Sequence, residues 1–436
     1  MKPDKARITA FNVLKRVILS NGYSTIVLDE EFKKAKPSHD EKKLATRIVY
    51  GVLERKLTLL AILKRFINRK PKEEIEIILL MGIYQILYLD SIPVYAVVNS
   101  SVELAKLTNK NKAAAGFINA VLHKVAKEEP SSLKEEAYKT EEGKYSVSPK
   151  MLQIIKTSLK EDADLFLRSS FDRAPIYIRV NTLKTNIDDL IASLNEENIA
   201  AERVPLFSLA LKISGSYDIT KTKAYQNGMF FVQDLSSALA VESLNIEEDS
   251  IVLDLCAAPG GKSFLAANYA TKGRINSFDI HDHKIELIQK SAMRLGIRNL
   301  TAEKKNALDY QGREEIADRI ICDVPCSGSG VIRRKPEIRY KDEDLTALYS
   351  LQGEILRSAS KMLKVGGRLL YSTCSINKKE NEDIVREFLK NDSRFGVLNL
   401  EGRYDIIKNK GEFGSTVLPS DFGGDGFFFS ILERRM

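Results

Sequence analysis

Two cysteines in the C-terminal half of the chain lie where a thiol could meet a ligand. Cys326 belongs to the stretch 323–330, Asp-Val-Pro-Cys-Ser-Gly-Ser-Gly, which follows the apolar run of residues 319–322. Cys374 follows a second apolar run, residues 368–371, within Ser-Thr-Cys-Ser. Both runs are typical of buried strands, and in open parallel sheets the carboxyl ends of strands face the ligand. Buried cysteines are commonly structural, but the Pro, Ser, Thr and Gly neighbours favour two thiols presented at one edge of a sheet.

A pair of thiols at a ligand site suits covalent chemistry on a pyrimidine ring. Carbon 5 of a pyrimidine is a poor nucleophile, but a thiolate that adds to carbon 6 creates an enamine-like ring that can take a methyl group at carbon 5. The adduct must then lose its carbon-5 proton and expel the thiol, and a base or the second thiol could assist those steps. The chain has no Cys-x-x-Cys pair and only four histidines, so no metal site is predicted.

A glycine-rich turn at residues 256–262 predicts a nucleoside site at the same edge. It follows the apolar run 251–255 and precedes a helical pattern, but it matches neither Gly-x-Gly-x-x-Gly nor the P-loop. Asp279 ends the next predicted strand, nineteen residues after Gly260, where a carboxylate accepts hydrogen bonds from ribose hydroxyls. An adenosine ligand without a pyrophosphate fits this pattern, and S-adenosylmethionine is the expected cofactor.

The elements that must position these groups alternate between strand, turn and helix from residue 228 to the end. This alternation predicts a doubly wound, Rossmann-like α/β domain over 228–436 with a mostly parallel sheet. Residues 1–128 predict an all-α bundle, in which Ser38 and Glu41 have capping-box spacing. Residues 129–150 are polar and predict a linker, and residues 151–227 predict a small α/β subdomain. The chain is therefore expected to be a multidomain protein.

Charge is unevenly distributed along the chain. The net charge is +8, but residues 1–128 hold 23 Lys+Arg against 13 Asp+Glu, a net of +10, so the remainder is −2. A basic first domain indicates an anionic partner, most plausibly nucleic acid, although a solvated helical surface would have the same composition. The longest apolar run, residues 77–89, is too short to cross a bilayer, and the N-terminus lacks the apolar segment of a signal peptide. We therefore expect a cytoplasmic protein with no membrane partner and no obligate protein partner.

Several motifs together resemble those of the Nop/Sun RNA 5-methylcytosine methyltransferases. They are the glycine-rich turn and the two cysteine stretches, the upstream segments 179–184 and 233–237, and the closing segment 425–429. The N-terminal helices resemble the NusB RNA-binding fold, notably at residues 96–106 and 117–122. A NusB-like domain joined to this catalytic domain is the arrangement of a bacterial 16S rRNA enzyme, so the resemblance implies 16S rRNA as the substrate and RNA-binding roles for the first domain and the small subdomain.

The resemblance implies a role for each site residue. Cys374 would be the nucleophile and Cys326 the thiol that assists product release, while Asp323 would hydrogen-bond the cytosine beside the methyl donor. Asp279 would bind the ribose of the donor. The residues that would wrap the donor are Cys256, Ala257, Ala258, Pro259, Gly260, Gly261 and Lys262.

Three points stay open at this stage. Asn306 stands at the family position for the adenine contact, with Asp309 as the rival. The basic run 333–335 could grip phosphates near the target base or could be a solvated loop. The substrate could instead be tRNA or another RNA, and the chain could be an RNA-binding factor whose catalytic domain is inactive.

Overall fold

A computed structural model describes residues 4–108, 112–215, 218–309 and 311–436. The chain divides into two compact units. The helical unit contains Met1–Thr157 together with Ile332–Glu343, and the sheet unit contains Ser158–Val331 together with Asp344–Met436. The chain therefore leaves the sheet unit after residue 331, contributes twelve residues to the helical unit, and returns.

The helical unit is built from amphipathic helices around one apolar core, as the sequence predicts. The side chain of Ser38 accepts a hydrogen bond from the backbone of Glu41, whose side chain binds back, so the predicted capping box is confirmed. One helix is buried along almost its whole length, because its sequence is apolar on nearly every face. The helices are α1 (Lys5–Ser20), α2 (Ser24–Ala35), α3 (His39–Glu54), α4 (Lys56–Lys64), the buried α5 (Glu73–Tyr88), α6 (Val94–Thr108), α7 (Lys112–Val125), α8 (Pro130–Ala137), α9 (Glu141–Tyr145) and α10 (Pro149–Leu159), within which the unit boundary falls.

Residues 129–150 differ from the predicted linker, because they carry α8 and α9. Leu133 and Ala137 are buried in the core of the helical unit, and the Thr58 hydroxyl donates to the carbonyl of Gly143 at 2.7 Å. The polar residues of this segment occupy the outward faces of short helices, and its few apolar residues suffice to anchor it. The helical unit accordingly extends well beyond residue 128.

The segment 332–343 is anchored in the helical unit through a 3₁₀ turn at Pro336–Tyr340. The backbone and hydroxyl of Ser24 donate to the carboxylate of Glu337 at 3.1 and 2.8 Å. The fully buried Arg339 donates to the carbonyl of Tyr145 at 3.0 Å. Residues 333–335 lie at the start of this segment, and of the three only Lys335 is exposed. A phosphate contact by residues 333–335 stays a prediction.

The sheet unit begins with a small subdomain that has one four-stranded antiparallel sheet. Its strand order is 2-3-1-4, and its core forms between that sheet and one helix with buried leucines. The elements are α11 (Ala163–Ser169), β1 (Ile176–Val180), α12 (Ile187–Glu196), β2 (Ala201–Val204), β3 (Phe207–Ile213), α13 (Lys223–Gln226) and β4 (Phe230–Val232).

The rest of the sheet unit is one large mixed sheet covered by helices. The strand order is 11-12-13-9-8-5-6-7, and β10 pairs with β13. The elements are α14 (Leu235–Glu242), β5 (Ile251–Asp254), α15 (Gly261–Tyr269), β6 (Arg274–Asp279), α16 (Asp282–Leu295), β7 (Leu300–Lys304), β8 (Ala317–Asp323), α17 (Thr346–Met362), β9 (Leu363–Thr373), α18 (Glu382–Asn391), β10 (Phe395–Val397), β11 (Asn409–Gly411), β12 (Gly414–Val417), α19 (Pro419–Phe422) and β13 (Phe427–Arg434).

The predicted parallel arrangement is confirmed for β5 to β9, which run parallel to one another. The remaining strands are antiparallel, with β13 beside β9. Because β5, β6, β8 and β9 are parallel, their carboxyl ends meet at one edge of the sheet, where the motifs of the sequence lie. None of the helices in the described ranges is long and apolar enough to cross a membrane.

Candidate active site

The structure brings the two predicted thiols into contact. Asp323 at the end of β8 pairs in register with Ser372 near the end of β9, so the loops that follow the two strands start side by side. The sulfur atoms of Cys326 and Cys374 lie 3.1 Å apart, and both cysteines are half-buried. The contact of Cys326 with Cys374, together with burial and the carboxylates of Glu380 and Asp323, raises the pKa of the Cys326 thiol well above its ordinary value. Cys326 is therefore held as a neutral thiol.

An ion pair lies beside the thiols. The ammonium of Lys262 donates to Asp323 Oδ2 at 2.7 Å, and the Ser372 hydroxyl donates to Asp323 Oδ1 at 2.8 Å. Burial alone would lower the pKa of Lys262, but the negative charges of Asp323, Asp254 and Cys374 outweigh it and raise the pKa. Lys262 thus stays positively charged beside the carboxylate of Asp323, and its charge interacts with Cys374.

The glycine-rich turn shapes a cleft between β5 and α15. Gly260 adopts φ 107°, and a Cβ atom there would lie 2.4 Å from the Phe264 ring, so only glycine fits. A Cβ atom on Gly261 would meet nothing nearer than Gln233 at 3.9 Å, which leaves the start of α15 open. The cleft has a volume of about 200 Å³ and is lined by residues 256–259, Gly261 and Lys262 among others.

Buried polar atoms without partners line this cleft. Within the described part of the chain, Oδ1 of Asp254 and both polar atoms of the Gln233 side chain are buried and have no hydrogen-bond partner. Such groups cost about 1–3 kcal/mol each when left unsatisfied. A ligand that offers an ammonium and a carboxylate, as the methionine part of S-adenosylmethionine does, would satisfy both, so the residues present fit that cofactor.

Two further groups in the cleft have shifted pKa values. Asp254 is fully buried, and this burial raises its pKa to about 7, although the Ser263 hydroxyl, which donates at 2.6 Å, opposes the shift. Burial, followed by the negative charges of Asp254, Asp323 and Asp279, raises the pKa of the Cys256 thiol far above its ordinary value. Cys256 is therefore unreactive and contributes to the cleft by its shape.

The residues predicted to contact the nucleoside lie at the ends of β6 and β7. Asp279 is buried at the end of β6, where its carboxylate accepts from the backbone of His281 at 3.2 Å. Asn306 and Asp309 are both exposed after β7. The amide oxygen of Asn306 accepts a hydrogen bond from the backbone N–H of Leu308 at 3.1 Å. This local contact uses the oxygen of the side chain and does not use its amide nitrogen. The choice between Asn306 and Asp309 stays a prediction.

Comparison with known proteins agrees with this architecture. The model of the family described as "16S rRNA methyltransferase RsmB/F" matches residues 241–433, the NusB family model matches 4–127, and a ferredoxin-like domain of RsmF/B-like methyltransferases matches 151–220. The "probable ribosomal RNA small subunit methyltransferase B" of Bacillus subtilis (strain 168) is 33% identical, with 100% of each chain covered. The chain belongs to the RsmB/F methyltransferase family.

Two other similar proteins extend over nearly the whole chain. The "ribosomal RNA small subunit methyltransferase B" of Vibrio vulnificus (strain YJ016) is 28% identical, with 98% of this chain and 99% of that protein covered. A crystal structure of PH0851 superposes with a TM-score of 0.83 at 27% identity and covers 100% of both chains. The helical bundle, the ferredoxin-like subdomain and the methyltransferase sheet are therefore the domain set of the RsmB/F family.

Sequence reasoning missed three side chains at this RsmB/F site: Gln233, Glu380, and Asp254, which reads only as part of a strand. Gln233 was noted only as part of a motif, and Glu380 was not singled out. A single sequence carries a weak signal for Gln233, which comes just before the N-cap residue Asp234 of α14. It carries none for Glu380, because this glutamate lies in the polar run 377–383 that reads as an exposed turn.

Proposed function

We propose that the chain transfers a methyl group from S-adenosylmethionine to carbon 5 of a cytosine in 16S rRNA. The observation that carries the proposal is the 3.1 Å contact between the thiols of Cys326 and Cys374 at the ligand edge of the sheet. Two thiols beside a nucleoside cleft suit covalent activation of a pyrimidine and have no evident use in transfer to an oxygen or an exocyclic nitrogen, which are nucleophilic themselves.

Cys374 is the attacking thiol in this proposal. Its sulfur forms a bond with carbon 6 of the cytosine, and the ring electrons displaced towards carbon 5 form the new bond to the methyl group, whose bond to the sulfonium sulfur breaks to leave S-adenosylhomocysteine. A water molecule then takes the carbon-5 proton, the electrons of that C–H bond restore the double bond between carbons 5 and 6, and the sulfur of Cys374 leaves as a thiolate. Cys326, a neutral thiol held beside the departing sulfur, assists this elimination by donating its S–H to the thiolate. Lys262 stabilises negative charge on Cys374, and Asp323 holds the base by accepting a hydrogen bond from its amino group.

S-adenosylmethionine supplies an electrophilic methyl group when it is bound. Residues 256–262 would enclose it, Asp279 would accept hydrogen bonds from its ribose, and Gln233 and Asp254 would bind its methionine end. A base inside an RNA helix cannot reach such a cleft, so the target cytosine must be flipped out or lie in an open region. The basic helical unit would supply affinity for the RNA backbone with little sequence preference, and a ribosomal substrate implies action in the cytoplasm.

The test uses the purified full-length protein, radiolabelled S-adenosylmethionine and unmodified 16S rRNA. The Cys374→Ala enzyme should transfer no methyl group and form no covalent species. The Cys326→Ala enzyme should accumulate a protein–RNA adduct that survives a denaturing gel, since elimination is the step it lacks. An adduct formed by Cys374→Ala would overturn the assigned roles.

Two outcomes would redirect the proposal. Bisulfite sequencing of RNA from a deletion strain should show one 16S cytosine that has lost its modification, and a loss confined to tRNA would exclude 16S rRNA as the substrate. A wild-type protein that transfers no methyl group to any rRNA would favour an RNA-binding factor with an inactive catalytic domain.

A further inference from the structure

One buried carboxylate is bonded to both cysteine loops. Glu380 lies between β9 and α18, and its side chain is completely buried. One of its oxygens accepts from the backbone N–H of Ser327 at 2.8 Å and from the amide nitrogen of Gln352 at 3.1 Å. The other accepts from the hydroxyls of Ser327 at 2.5 Å and of Ser375 at 2.8 Å. All four contacts use the carboxylate as an acceptor.

The donors are the immediate neighbours of the two thiols. Ser327 follows Cys326 and Ser375 follows Cys374 in the chain. Gln352, which is fully buried in α17, also donates to the carbonyl of Pro325 at 2.9 Å, on the other side of Cys326. The backbone is therefore fixed on both sides of Cys326, and the same carboxylate ties it to the Cys374 loop.

The charge of this carboxylate also bears on the thiols. Burying a carboxylate is costly unless hydrogen bonds replace its hydration, and none of the four donors to Glu380 is a cation. Its negative charge, after the larger effect of the contact with Cys374, contributes to the raised pKa of Cys326. Negative charge is thus disfavoured at Cys326, which matches the role of a neutral thiol proposed for it above.

We propose that Glu380 is a positioning residue for the methyl transfer, which holds the sulfur atoms of Cys326 and Cys374 at reacting distance. The inference rests on the two-thiol mechanism of the proposed function. It goes beyond that mechanism because Glu380 itself touches neither the base nor the cofactor cleft. A carboxylate suits the position because it can accept from both loops at once, whereas an amide at this position can accept through only one atom.

The test compares Glu380→Gln with the matched variant Glu387→Gln. In Glu380→Gln the amide oxygen can still accept from two donors, and the hydroxyls of Ser327 and Ser375 can rotate to accept from the amide nitrogen, so the fold should survive. Glu387 is exposed in α18 and bonds only to Asn391 in the described structure. The first readout is the rate at which dibromobimane bridges the two thiols, followed by the fluorescence that appears when the reagent joins two neighbouring thiols. It is measured on the protein without RNA or cofactor, and the second readout is kcat for methyl transfer. The Cys326→Ala protein gives the background from the other thiols.

We expect Glu380→Gln to bridge the thiols at least about fivefold more slowly and to lose about tenfold or more in kcat, since displacements of 1 Å at a reacting group are costly. Its KM for RNA should stay within about twofold of the wild-type value, because the substitution leaves unchanged the contacts that bind the substrate and the transition state equally. Glu387→Gln should match the wild type in both readouts. A Glu380→Gln protein that bridges the thiols at the wild-type rate, or that keeps wild-type kcat, overturns the proposal.

Two further arrangements keep the test decisive. If Glu380→Gln fails to fold, the variants Ser375→Ala and Ser327→Ala each remove one hydroxyl donor to Glu380. Each should slow the bridging of the thiols by a smaller factor than Glu380→Gln would. Bridging at the wild-type rate in both serine variants overturns the proposal. Bridging requires no substrate, so slower bridging in Glu380→Gln would support thiol positioning even if the wild-type protein methylated no cytosine.

Discussion

Lys262 offers the sharpest quantitative prediction, because it contacts Asp323 and its charge interacts with Cys374, the thiol proposed to attack the base. The substitution Lys262→Met keeps the length of the side chain and removes its charge. It leaves Asp323 Oδ2 without the donor that lies at 2.7 Å in the structure. It also removes the positive charge that faces Cys374.

The magnitude follows from the burial of the pair. Removing one partner of a fully buried ion pair costs about 3–5 kcal/mol. The side chains of Lys262 and Asp323 are 12% and 30% exposed, so water screens part of that cost, and we take roughly 2 kcal/mol. We expect a loss of the same size in the transition state for methyl transfer, where Asp323 and Cys374 are proposed to act, and at about 1.4 kcal/mol per factor of ten this corresponds to roughly a 30-fold lower rate.

The assay is single-turnover methyl transfer to 16S rRNA at saturating cofactor. The rate of adduct formation in the Cys326→Ala background should fall by a similar factor, because attack by Cys374 is the step that Lys262 assists. A double-mutant cycle with Asp323→Asn should give a coupling energy of about 1–2 kcal/mol between the two residues. A Lys262→Met rate within about threefold of the wild type, or additive effects in the cycle, would refute the reasoning.

Three other substitutions test separate parts of the structure. Burial raises the folded-state pKa of Asp254 from 3.8 to about 7, so the stability that the protonated Asp254 contributes is complete at low pH and is lost as pH rises through 7. Between pH 4 and pH 8 the wild type should therefore lose up to about 4 kcal/mol of unfolding free energy that Asp254→Asn keeps, which urea unfolding at the two pH values measures. Gly330→Ala places a Cβ atom 2.0 Å from the carbonyl oxygen of Gly426 and should cost about 2 kcal/mol and most of the activity. Gly116→Ala, which has nothing within 4 Å of an added Cβ atom and lies inside α7, should instead raise calorimetric stability by up to about 1 kcal/mol. Tyr340→Phe removes a hydroxyl bonded to the helical unit and should lower the free energy of unfolding of that unit by about 1–3 kcal/mol in chemical denaturation; an unchanged midpoint would contradict that contact.

The parallel half of the sheet was predictable because its signals are local. The two central strands are short apolar runs with a clear end, since β5 stops before the glycine-rich turn and β8 stops at Asp323. The antiparallel edge was not, since β10, β11 and β12 are only three or four residues long. Strands that short carry too little alternation for a sequence pattern to reveal.

Two segments lie in other units of the structure than the sequence pattern predicts, and for a common physical reason. Residues 129–150 and 332–343 are rich in polar residues, and a polar segment reads as a linker or a solvated loop. Both are held by a few long-range contacts, such as Leu133 in the core of the helical unit and Ser24 bonded to Glu337. Contacts of that kind join distant parts of the chain, and no local pattern encodes them.

For the thiols as well, local sequence patterns predict where the groups lie, whereas long-range contacts determine the charges around them. Cys326 lies three residues beyond the end of β8 and Cys374 one residue beyond the end of β9, so the pairing of the two strands brings the sulfur atoms together. The sequence predicts that both thiols lie at one edge of the sheet, but not that the two strands are neighbours. The charges that distinguish the thiols come from elsewhere: Lys262 stands at the start of α15 and Glu380 just before α18. Neither residue is close in sequence to both cysteines, so the division of labour between two chemically identical groups is a property of the fold and not of either cysteine motif.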